Sequence, residues 1–157
     1  MPIRNATPGD VEQIRLLIAD LAEYERLAHE AVATADDLRT HLFGDDPAAH
    51  VLIAETDDGE VAGFALWYRT FSTFMGRPGI WLEDLFVRPT YRGRGFGLAL
   101  LAQLRTMTDG RVEWSVLDWN EPSIGFYRAL GAEPVDGWTR YRWLPAELRD
   151  GAGERDG

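Results

Sequence analysis

The sequence predicts an α/β fold, a mixed and mostly antiparallel sheet flanked by helices, on three observations. Residues 80–87 alternate as a strand, with Trp81, Glu83, Leu85 and Val87 on one set of positions and Ile80, Leu82, Asp84 and Phe86 on the other. A glycine-rich turn follows, from Arg92 through Gly93, Arg94, Gly95 and Phe96 to Gly97, and then the helical spacing of Leu98, Leu101, Ala102 and Leu104. Elsewhere strand and helix signals succeed one another in the order β-α-α-β-β-β-α-β-α-β.

Pro2 to Ala6 reads as a short strand. Thr7, Pro8, Gly9 and Asp10 supply a cap, and Val11, Ile14, Leu17, Ile18 and Leu21 give a helix expected to reach about Leu27. Thr34 opens a second helix that runs to about Phe43 and stops at Gly44. Strands at 50–55 and 61–71 flank Thr56-Asp57-Asp58-Gly59, a hairpin signal with Asp-Gly at its tip. Residues 72–78 are expected as a loop, 79–87 as the strand already described, and 96–108 as helix. Val112 to Leu117 reads as a strand, and Asn120-Glu121-Pro122-Ser123 starts a helix that carries Ile124, Tyr127 and Leu130 and stops at Gly131. Gly137 to Leu144 alternates as a closing strand. A single domain over 1–147 and a polar C-terminal tail over 148–157 are expected.

The chain has 157 residues, 45% of them hydrophobic, enough for one substantial core. No apolar run approaches the ~20 residues of a membrane helix, and Met1 to Asn5 lacks an apolar signal core, so a cytoplasmic protein without membrane contact is expected. Absence of cysteine excludes disulfides, cysteine nucleophiles and thiolate metal sites, and His29, His41 and His50 form no close ligand pair, so no metal is expected. A formal net charge of -10 argues against nucleic acid as a partner and leans toward a cationic small molecule, although acidity also serves solubility alone.

The glycine turn is read as a phosphate cradle. Glycines carry no Cβ, so backbone N–H groups there can approach an anion at the positive end of the following helix. A triphosphatase loop would end in Gly-Lys-Ser/Thr, whereas Gly97 is followed by Leu98. A dinucleotide-binding turn would need glycine at position 98 and a place near the start of a longer βαβ array. What remains is Arg92-x-x-Gly95-x-Gly97.

Two acids stand inside an apolar strand. Glu83 and Asp84 are adjacent, so strict alternation sends them to opposite faces and gives them separate roles. Each needs solvent or a partner, because burying an unpaired carboxylate is costly; a functional cleft or an arginine in the core would satisfy either. Tyr127 is a helical residue whose hydroxyl could act as an acid, or simply a core tyrosine with its hydroxyl at the surface.

The Arg92 to Gly97 loop, together with the run from Trp119 through Asn120, Glu121, Pro122 and Ser123 to Tyr127 and Gly131, resembles the GNAT N-acetyltransferase superfamily. More narrowly, Ile3 to Thr7, Leu21 to Glu25, Leu82 to Val87 and Gly137-Trp138 are similar to its diamine (spermidine/spermine) acetyltransferase branch, and the likeness spans nearly the whole chain. The resemblance implies acetyl-CoA as co-substrate and a primary amine as acceptor. By it, Leu85, Phe86 and Val87 present backbone groups to the pantetheine arm, with a bulge splaying their strand from the next. Arg92, Gly93, Arg94, Gly95, Phe96, Gly97 and Leu98 form the pyrophosphate loop, and Asn120 and Ser123 contact the cofactor from the other side. Tyr127 is the implied general acid, also touching the cofactor. Glu83 orients the amine and helps deprotonate it through water, and Tyr24, Glu25, Asp84 and Asp136 line the amine site. Homodimerisation is implied as well. The segment Thr70 to Arg77 departs from the polyamine pattern, with Phe74 near the place of an aromatic and no carboxylate. A lysine-like amino acid is thus an alternative acceptor, and an acyl-CoA-binding sensor without catalysis is a reading of a different class.

Overall fold

The computed structural model describes residues 2–148. They form two compact units that divide after Leu117. The first carries β1 (Ile3–Asn5), α1 (Val11–Tyr24), α2 (Ala35–Phe43), β2 (His50–Glu55), β3 (Val61–Ser72), β4 (Arg77–Val87), α3 (Phe96–Thr106) and β5 (Val112–Glu113); the second carries α4 (Glu121–Ala129).

The five strands lie in the order β1-β2-β3-β4-β5. The first four are antiparallel, and β5 runs parallel to β4 through only two pairs, Ile80 with Val112 and Trp81 with Glu113. Val11, Ile14, Leu17 and Leu21 of α1 and Leu38 and Leu42 of α2 bury against Val51, Ile53, Phe64 and Phe86. That is one face of the sheet, since alternate residues share a face. Leu52, Ala54 and Ala65, of the opposite parity, are equally buried, and α3, which contacts β1 to β4, covers that side with Leu100 and Leu104.

Local chemistry explains the element ends. Asp10 accepts from the Thr7 backbone N–H at 2.7 Å and from Arg4 at 2.7 and 2.9 Å, so Arg4 holds its carboxyl down at about 2. Thr34 and Asp37 exchange the reciprocal bonds of a capping box at the start of α2. The hairpin after β2 closes through Thr56 N–H to Glu60 C=O at 2.9 Å. At the β4–β5 junction the backbones touch so closely that a Cβ at Gly110 would stand 2.2 Å from the Pro78 oxygen. Gly131, with φ of 90°, ends α4 as expected: its N–H bonds Arg128 C=O and the Ala132 N–H bonds Tyr127 C=O.

Several expectations need correction. The opening helix ends at Tyr24 rather than Leu27, because Arg26 turns left-handed at φ 62°. Its N–H and that of Leu27 close back onto Glu23 and Ala22, a helix stop usually built on glycine. The loop expected over 72–78 is a tighter hairpin, with Ser72 already paired to Arg77. The strand expected over 112–117 is only Val112–Glu113. Residues 137–144 form no strand, and Trp138, Tyr141 and Trp143 are 83%, 91% and 88% exposed. Alternating aromatics make a strand only where a ladder partner and a face to bury exist. Of the polar tail, all but Leu148 lies outside the described residues.

Candidate active site

The site of the first unit is built on a flaw in β4. Leu66 pairs with Asp84 and Trp67 with Leu82, so Glu83 is an extra residue without a partner on β3. A bulge of this kind bends its strand and re-aims side chains. It also breaks the alternation on which the opposite-face reading of Glu83 and Asp84 rested. Glu83 is exposed, and its carboxylate accepts from the Trp81 indole N–H at 2.8 Å. Asp84 is half-buried; burial first, then the negative charges of Glu83 and Glu25, push its carboxyl up to about 7. Glu25, one residue past α1, is raised by burial and by the Glu83 charge. The three carboxylates therefore feel one another, although they lie on two elements distant in sequence.

Beyond the Trp81–Glu113 pair, β4 has no ladder partner on its β5 side among the described residues. In an antiparallel pair half of a strand's N–H and C=O groups turn to the partner. The other half, over 83–87, face the opening between β4 and β5. This is the segment of Leu85, Phe86 and Val87 for which contacts with a pantetheine arm are expected. Phe86 is buried, and Leu85 and Val87 are half-buried.

The Val87 carbonyl accepts from Arg92 Nε at 3.0 Å. The same guanidinium carbon lies 5.1 Å from the Tyr24 ring centre and 5.5 Å from that of Phe86, and the two rings are 6.5 Å apart. Arg94, also exposed, stands over Tyr91 at 5.6 Å.

Gly93 and Gly95 have φ of 78° and 86°, and Gly95 is the N-cap of α3. Most N-cap residues place a side-chain oxygen over the first helical amides. Gly95 has no side chain to do so, which leaves the N–H groups of Phe96, Gly97 and Leu98 without a cap; they have no intrahelical acceptor either. Unclaimed amides at the positive end of a helix suit a diphosphate, so the loop fits the co-substrate expected there.

In the second unit, Asn120 is the N-cap of α4, and its Oδ1 accepts from Ser123 N–H at 3.4 Å. Pro122 sits in the first turn, and Tyr127 follows on the next, its ring 5.6 Å from that of Phe126. Asp136 is exposed after the helix. The first unit thus gathers Tyr24, Glu25, Glu83, Asp84 and Arg92. Asn120, Ser123 and Tyr127 share the one helix start of the second.

Sequence reasoning missed the Trp81 contact to Glu83 and the seat of Arg92 on Tyr24. Trp81 was discoverable, since residues two apart on a strand share a face. The second joins distant segments and leaves no local signal.

Among the described residues no helix is long and apolar enough to cross a membrane, and no group of three or more His, Asp or Glu is set to hold a metal ion. A bulged strand, a glycine loop free of side-chain caps and a parallel strand that departs after two pairs together define an acyl-CoA-dependent transferase scaffold. The family model described as Acetyltransferase (GNAT) family matches residues 16–132, and the chain belongs to that family of N-acetyltransferases, whose co-substrate is acetyl-CoA. Thialysine N-epsilon-acetyltransferase of Bos taurus is 36% identical, with 97% of each chain covered. Spermidine/spermine N(1)-acetyltransferase-like protein 1 of Homo sapiens is 34% identical over 97% of this chain and 24% of that protein. These relatives fit the diamine branch. Among solved structures, an integron cassette protein from the mobile metagenome of V. cholerae superposes with a TM-score of 0.77, at 25% identity and 96% coverage of each chain.

Proposed function

We propose that the protein, as one catalytic domain over residues 1–147, transfers an acetyl group from acetyl-CoA to a primary amine of a small acceptor bearing more than one positive charge. The observation that carries this reading is the mutual coupling of Glu25, Glu83 and Asp84. Three carboxylates held together cost free energy that a bound polycation offsets.

An alkylammonium has a pKa of ~10.4 and is no nucleophile until it loses a proton. Glu83, fixed by the Trp81 indole, orients the ammonium and draws its proton through water. Asp84, with its carboxyl near 7, provides a second place for that proton at neutral pH. Tyr24 and Asp136 are proposed as further walls of the acceptor site. Acetyl-CoA supplies the thioester carbonyl when bound. The amides of residues 93–98 hold its pyrophosphate, with Arg92 and Arg94 adding positive charge, the open edge of Leu85 to Val87 takes the pantetheine arm, and Asn120 and Ser123 contact it from α4. Tyr127 protonates the departing thiolate. Attack is direct, without an acyl-enzyme, in keeping with a chain that has no cysteine.

Among acceptors, diamines and polyamines stand beside lysine-like diamino acids, a class supported by the likeness to the thialysine enzyme. A cytoplasmic location is proposed. So is a homodimer, supported by the exposed Trp138, Tyr141 and Trp143, for which light scattering should return twice the chain mass; a monomer mass at all concentrations would refute it. The test of function is CoA release from acetyl-CoA with spermidine, spermine, putrescine, lysine, thialysine, aminoglycosides and a neutral peptide. Saturable turnover is expected with one cationic class. Acetyl-CoA binding without any turnover would favour a sensor.

A further inference from the structure

We propose that Arg92 is a positioning residue that couples the donor loop to the acceptor residues, holding Tyr24, and Glu25 beside it, against Phe86. This rests on the reading of Glu25 as part of the acceptor site. Arg92 begins the glycine loop, yet its Nε–H is committed to the Val87 carbonyl at 3.0 Å. Its guanidinium carbon stands near both rings, at 5.1 Å from Tyr24 and 5.5 Å from Phe86. One planar cation thus touches the last residue of α1, the middle of β4 and the end of β4.

Geometry gives the contact its consequence. Tyr24 closes α1 and the chain turns left-handed at Arg26, so Glu25 is held between a helix end and a sharp turn. Fixing the Tyr24 ring fixes where the Glu25 carboxylate stands. The Arg92 side chain is the link through which an ordering of residues 93–98 by a diphosphate reaches Tyr24. Lysine cannot replace it: an ammonium is a compact, strongly hydrated point charge with no fork to bond Val87 while stacking on two rings. Acetyl-CoA itself is held mainly by main-chain amides that survive the substitution.

Arg92→Met should raise the KM for the amine by ~5- to 10-fold, the size of a part-desolvated cation–π contact. The acetyl-CoA dissociation constant should change by less than about threefold, and Arg92→Lys should not restore the amine KM. In a Tyr24→Leu background, Arg92→Met should add less than about twofold, since the contact is already gone. Independently of turnover, hydrogen exchange at the amides of residues 21–27 should be faster in Arg92→Met than in the wild type, and acetyl-CoA should slow it only in the wild type. Thermal melts check that every variant is folded; Arg92 is exposed. A weakened acetyl-CoA affinity with unchanged amine KM and unchanged exchange would overturn the proposal and leave Arg92 as a phosphate contact only. If the wild type acetylates no cationic amine, the proposed function falls, and the exchange comparison alone decides the role of Arg92.

Discussion

Asp84→Asn should stabilise the protein increasingly as pH rises. The Asp84 carboxyl stands at about 7 in the folded chain against an ordinary 3.8, lifted by burial and by Glu83 and Glu25. The native state therefore holds this proton more tightly than the unfolded chain does, and ionisation works against folding. The penalty is absent below pH 3.8, grows across the interval and is complete above 7. Three pH units at ~1.4 kcal/mol each give about 4 kcal/mol at full ionisation, of which about 2–3 kcal/mol accrues between pH 5 and pH 8. Asparagine keeps the shape and removes the charge, so the gain of the variant over the wild type should widen by that amount across the range. Urea unfolding of both proteins at pH 5 and pH 8 measures it, as a divergence of midpoints by ~1 M or more. Spermidine added at pH 8 should narrow the gap, because a cation bound at the cluster stabilises the charged wild type more. Parallel midpoints at the two pH values would refute the burial-and-repulsion account of Asp84.

Three further outcomes are expected. Tyr127→Phe should lower turnover by ~10²-fold or more at nearly constant acetyl-CoA affinity, as loss of an acid acting only in the transition state requires; unchanged kcat in steady-state assays removes Tyr127 from that role. Gly95→Ala, at φ 86°, should cost ~1–2 kcal/mol in chemical denaturation and weaken acetyl-CoA binding by calorimetry, while equal affinity would mean that the loop does not hold the phosphates. Gly110→Ala drives a Cβ to 2.2 Å from the Pro78 oxygen, so the β4–β5 junction must move at a cost of ~1–3 kcal/mol, seen as a lower melting temperature; an unshifted melt would show that the junction yields freely.

What the sequence disclosed was local. The alternation of residues 80–87, the glycines at 93 and 95 and the periodic leucines of α3 specify a strand, a turn and a helix from their own steric preferences, and each is found where expected. What it concealed depends on partners elsewhere in the chain. The extra residue at Glu83 exists only relative to Leu66 and Trp67 on β3, and it changes the relation of the two acids that alternation had separated. The stop at Tyr24 hides in an arginine in a conformation that arginine seldom adopts. Gly137 to Leu144 misled for the converse reason, since its pattern is strand-like but no ladder there completes it. The candidate carboxylates and the loop were thus readable as residues, whereas their coupling and the seat of Arg92 were not.

The open edge of β4 also bears on how the protein stays in solution. A strand that leaves its neighbour after two pairs exposes a row of hydrogen-bonding groups to which the strand of another molecule could add. Glu83 and Asp84 sit in that row, and a second copy approaching edge to edge would bring its own two acids against them. The irregular step at Glu83 would further mismatch any straight intruder. The carboxylates proposed to recruit a cation therefore also guard the sheet against self-association, so neutralising both at once should produce a protein that aggregates before it loses its fold.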